Sequence, residues 1–101
     1  GTPLIRSMNV YDYKFDYKGL AHIDEQQAQA LKHVTVIRND VLLNITGASV
    51  ARCTVVPASL TPARVNQHVA ILRPKAHLLN QFYLASLLNS SSFKRKLLDI
   101  A

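Results

Sequence analysis

Hydrophobic period turns from mainly strand-like to helical at Arg73-Pro74, and the change sets what the two parts of this chain can become. Upstream, apolar residues come in short, often β-branched runs separated by turn formers, the pattern of strands. The expected strands are Leu4–Met8, Val34–Ile37, Val41–Ile45, Val50–Val56 and Gln67–Leu72. One short helix interrupts them, over Glu25–Lys32, with Asp24 as its N-cap. Asn39-Asp40, Thr46 to Ser49 and Pro57 to Pro62 read as turns or loops. Downstream of Pro74 the pattern is helical. From His77 to Asn89 apolar residues cover most of the circumference, which predicts a helix buried on several sides or against another chain. Ser90-Ser91-Ser92 can cap a second helix in which Phe93, Leu97, Ile100 and Ala101 share a face. The predicted class is therefore α+β (mixed α/β): a twisted, mainly antiparallel sheet with C-terminal helices packed beside it.

At 101 residues the chain makes one small domain. An apolar fraction of 49% against 18% charged residues excludes a disordered tail. Twelve Lys and Arg outnumber six Asp and Glu, and the formal charge of +6 favours a polyanionic partner, nucleic acid before an anionic membrane. With Cys53 as the sole cysteine, no disulfide can close within the chain, and a reducing compartment is expected. No apolar run reaches membrane-spanning length, and Gly1 to Val10 lacks the pattern of a secretory leader, so the expected location is cytoplasmic.

The residues offer little to an enzyme. His22, His33, His68, His77 and Cys53 show no paired metal-ligand spacing, so no metal is expected. Cys53 lies in a β-branched run and reads as a small buried apolar residue. Asp24 and Glu25 suit helix capping better than acid–base work. The three glycines stand apart, so there is no phosphate-cradling loop, and no cofactor is expected.

Basic and aromatic residues are more informative. Tyr11, Tyr13, Lys14, Phe15, Tyr17 and Lys18 form an exposed-looking loop in which rings could stack on bases and lysines meet phosphate, or some rings could pack on the core. Thr46 and Ser49 flank small residues that permit close backbone approach, and Arg52 follows. Lys94, Arg95 and Lys96 fall in the first turn of the last helix, where free N–H groups and cations suit a phosphate oxygen; a solvated charge run is the plainer reading.

Three stretches carry a resemblance. Asp40 to Arg52 presents an acidic turn, an apolar strand, a Thr-Gly break and a small-residue strand; Val65 to Pro74 and Phe82 to Ser90 follow in matching order and spacing. Together they resemble the target recognition domain of the specificity subunit of type I restriction–modification enzymes. The resemblance implies a non-catalytic module that binds one half of a split double-stranded DNA sequence, while separate modification and restriction subunits methylate adenine and cut. It also implies that residues 1–101 form part of one such domain, without the family's opening segment and its C-terminal spacer helix. Asn66, Gln67 and His68 could grip bases by residue type, yet a motif shared by readers of different sequences is expected to be structural, pairing loop backbone. The competing expectation is an interaction module that self-associates through the 77–89 helix, or pairs with a modification subunit, without reading DNA. A small enzyme ranks last.

Overall fold

A computed structural model describes residues 1–73, 75, 80–90 and 94–95. The class is α+β, as the two hydrophobic periods predict. Strands β1 (Thr2–Ile5), β2 (Val10–Tyr11), β3 (Lys14–Phe15) and β4 (Ala21–Ile23) precede helix α1 (Glu25–Ala30). Strands β5 (Thr35–Val36), β6 (Val41–Asn44), β7 (Cys53–Val55), β8 (Ala63–Val65) and β9 (Val69–Leu72) follow, then helix α2 (Gln81–Leu88).

The strands do not make the one sheet expected. They form a four-stranded sheet in the order β4-β1-β8-β5, a three-stranded sheet β7-β6-β9 and the small hairpin β2-β3. All pairings are antiparallel except β1 with β8, which run parallel. Two sheets arise because β6 is buried on both faces, and its continuous apolar run Val41-Leu42-Leu43 supplies side chains to each. Leu42 joins Ile5, Val36, Val65 and Val69 in a core shared with the four-stranded sheet. Val41 and Leu43 point the other way, toward Cys53 and the Leu84 and Leu88 side chains of α2. The layers are thus four-stranded sheet, three-stranded sheet and helix.

Other boundaries shift for local reasons. The first strand stops at Ile5, and Ser7–Asn9 turns through a single-turn helix in which Asn9 Oδ1 accepts from the Arg6 amide. Helix α1 keeps its predicted cap, since Asp24 Oδ1 accepts from the Gln27 amide at 2.7 Å, but it ends at Ala30. The returning strand is only Cys53–Val55, because Val50 and Arg52 donate to carbonyls three residues back and Ala51 takes a φ of 73°. Residues 66–68 turn before β9 begins at Val69. Strands β4 and β8 were not expected.

Helix α2 is capped by Asn80, whose Oδ1 accepts from the Phe82 and Tyr83 amides. Ala85 and Leu88 are buried against the sheet with Leu84 half-buried, whereas Phe82, Tyr83 and Leu87 face outward. The His77 to Leu79 part of the expected helix and most of the helix after Ser92 lie outside the described residues. Among the described residues no helix is long and apolar enough to cross a membrane.

Candidate nucleic-acid interface

Antiparallel pairing places the end of β6 beside the starts of β7 and β9. The Asn66 amide donates to Ile5 O, which brings the ends of β1 and β8 to the same side. Segments 6–19, 45–52 and 66–68 therefore meet at one end of the molecule. Asn44 ties them together from beneath. It is buried, and its Nδ2 donates to Ser7 O at 3.0 Å, Val10 O at 3.3 Å and Ser49 Oγ at 3.1 Å. Thr46 Oγ1 and His68 Nδ1 share a short hydrogen bond across the gap between two of these segments. Asn66 Oδ1 accepts from the His68 amide, and His68 O accepts from the Ile45 amide. Asn66 and His68 thus pair with loop backbone and Thr46, while Gln67 is exposed. Ser7, Met8, Thr46, Gly47, Ala48, Ser49 and His68 line an open cleft of about 380 Å³.

The stretch Tyr11 to Lys18 is a loop only in part. Pairing of Val10 with Phe15 and of Tyr11 with Lys14 makes a short hairpin that turns Val10 and Phe15 into the core and leaves Tyr11 and Lys14 exposed. At its tip the Tyr13 amide donates to Cys53 O at 3.1 Å, and Asp12 Oδ1 accepts from the Cys53 amide at 3.2 Å. The hairpin tip thereby covers the outer edge of β7. Tyr13 sits at φ 59°, a region that costs a bulky residue energy, and is 64% exposed. The Arg52 guanidinium lies 4.9 Å from the centre of the Tyr11 ring, a cation–π contact that orients both. Tyr17 is exposed and meets buried Phe15 edge-on at 5.0 Å. Asn9 Nδ2 donates to Asp16 O and Lys18 O, fixing the backbone that carries exposed Lys18.

The C-terminal basic run divides. Lys94 Nζ lies 2.8 Å from Asp12 Oδ1 and also donates to Ala51 O, with its side chain only 20% exposed. Its amide is taken by Ser90 O. Lys94 is a tether for the hairpin tip in this geometry, not a free cation. Arg95 is exposed. Lys96, with Ser91 and Ser92 that were expected to cap the helix, lies outside the described residues. Among the described residues the ion pairs are Lys94–Asp12 and Arg73–Asp40, so exposed Lys14 and Lys18 and half-buried Arg52 have no carboxylate at bonding distance.

Among the described residues no three His, Cys, Asp or Glu side chains cluster as a metal site would require. Burial pushes the Cys53 thiol up to about 11; the Lys94 charge opposes this, Asp12 adds to it, and a hydrogen bond from Asn89 opposes it. A thiol so disposed stays protonated at neutral pH, which suits packing and not nucleophilic attack. Sequence reasoning missed Asn44 and Asp12. The signal for Asn44 was an amide closing an otherwise apolar run, which has to find partners once the strand is buried.

A scan against protein-family models gives no match for this chain, and a search of curated proteins gives none either.

Proposed function

We propose that this chain is a non-catalytic DNA-recognition module, of the kind that directs adenine methylation and cleavage by partner subunits in a type I restriction–modification complex. The observation that carries the reading is the composition of the loop end. Exposed Tyr11, Tyr13 and Tyr17 stand beside Lys14, Lys18 and Arg52, and the nearby carboxylates already have partners, Asp12 in Lys94 and Asp16 in the Lys18 amide. Rings at that density offer stacking faces, and unpaired cations offer phosphate contacts. The order and spacing of the three motif stretches support the same reading. Thr46, Ser49 and Arg52 would then approach the duplex from β6–β7, and the hairpin would supply the variable contacts.

Anisotropy of a labelled duplex DNA, measured across a salt series, tests it. Binding is expected at low salt, with log K falling linearly in log salt. Lys14→Ala combined with Lys18→Ala is expected to reduce that slope by about two units. Absence of binding at the lowest salt would transfer preference to the second reading, an assembly module. That reading is favoured by α2, where Phe82 and Tyr83 are each 62% exposed beside Leu87. Self-association through that face would then be the expected property.

A further inference from the structure

We propose that the cleft between the single-turn helix Lys32–Val34 and the end of β9 binds a tetrahedral phosphate oxyanion. The cleft measures about 290 Å³ and is lined by Lys32, His33, Thr35, Ile71 and Arg73. Liquid water takes roughly 30 Å³ per molecule, so a phosphate group fits with part of its hydration. Lys32 and Arg73 bring two basic side chains to the lining, His33 adds an imidazole, and none of the lining residues carries a carboxylate.

Arg73 gives the cleft its built character. Its Nε and Nη2 each donate at 2.7 Å to the two oxygens of Asp40, and Nη2 also donates to Thr35 O at 3.1 Å. These bonds fix the plane of the guanidinium and leave the two N–H groups of Nη1 uncommitted on a half-exposed side chain. A donor held in place in advance loses little freedom when a ligand arrives. Asp40 does not compete for the cleft. It is fully buried, and Ile37 donates to its Oδ2 as well. Lys32 supplies the net attraction, because Asp40 offsets the Arg73 charge. Its backbone is pinned by the Thr35 hydroxyl, which donates to Lys32 O at 2.6 Å. The site lies at the Arg73 end of β9, opposite the 66–68 turn, and does not rest on the DNA reading.

The phosphate can be a free ion or part of a nucleic-acid backbone, and one experiment separates the two. Nitrogen-15-labelled full-length chain is titrated with sodium phosphate at constant ionic strength, with sodium acetate as the control anion. Saturable shifts are expected at the amides of Lys32, His33, Thr35 and Arg73 with phosphate and not with acetate. Lys32→Gln is expected to weaken them about tenfold, the loss of one charge-assisted contact. Because Lys32 is exposed, the rest of the spectrum should stay unchanged. No saturable shift, equal shifts with acetate, or an affinity untouched by Lys32→Gln would each overturn the proposal. In a second arm the same variant binds duplex DNA across a salt series. A slope lower by about one unit assigns the phosphate to the DNA backbone; an unchanged slope, with the first arm's phosphate result obtained, assigns it to a free ion. Either result upholds the site, and a chain that binds phosphate but no DNA would sink only the DNA reading.

Discussion

Strand β6 is closed by a buried polar side chain at each end, and the two closures differ in kind. Asp40 precedes the strand and holds one charged partner, Arg73, through a two-point ion pair, with the Ile37 amide donating to the same carboxylate. Asn44 ends it and reaches Ser7, Val10 and Ser49 with one amide nitrogen. A buried carboxylate requires a matching charge, so the Asp40 end is locked into one arrangement. A neutral amide tolerates several partners of modest strength, so the Asn44 end can gather segments of differing sequence. The rigid end anchors the sheet, and the permissive end carries the exposed rings and cations.

The largest effect is expected at the charged end. Arg73→Met leaves the Asp40 carboxylate buried without its cation and should cost about 3 kcal/mol in urea unfolding, less than the loss from a fully buried pair because the Arg73 side chain is half-exposed. A loss below 1 kcal/mol would mean that the two ends do not differ. Asn44→Ala should cost about 2 kcal/mol, since it leaves the Val10 and Ser7 carbonyls without that donor. Hydrogen exchange sharpens the contrast: the Asn44 variant should lose protection at the amides of Tyr13, Ile45 and Ala51, while β9 stays protected. Tyr13→Asn should raise stability by about 1 kcal/mol, because asparagine accepts positive φ more readily, and should weaken DNA binding several-fold. A variant that gained stability with unchanged DNA affinity would remove Tyr13 from the interface. The smallest effect is expected at Lys94→Ala, about 0.5 kcal/mol with no change in the salt slope, because its partner Asp12 is partly exposed. A reduced slope would return Lys94 to the DNA-contacting set.

What could be read in the sequence follows the length of the pattern. Val41 to Asn44 was legible as a strand because its apolar run is continuous and bounded by turn residues. The cap at Asp24 was legible because capping is local. Strand β8 was not, since Ala63-Arg64-Val65 is too short to show a period. The hairpin was hidden in the same way. Only the pairing of Val10 with Phe15 reveals which aromatic residue turns inward. The roles of Asp40 and Lys94 were out of reach because their partners, Arg73 and Asp12, lie far away along the chain. Residue type announced a charge in each case, and only the fold said what it met.

The hairpin tip that covers β7 has a consequence for how freely this surface can change. An uncovered strand edge is a template for another chain, and here the Tyr13 amide and the Asp12 carboxylate occupy the outward backbone groups of Cys53. The segment best placed to diversify toward new ligands therefore also guards the chain against aggregation. Tyr13 can vary in side chain without loss of its amide, but not to proline, which has none. Asp12 is the position where variation trades directly against solubility, so a library built on this hairpin should hold it constant and screen the rest for monodispersity before affinity.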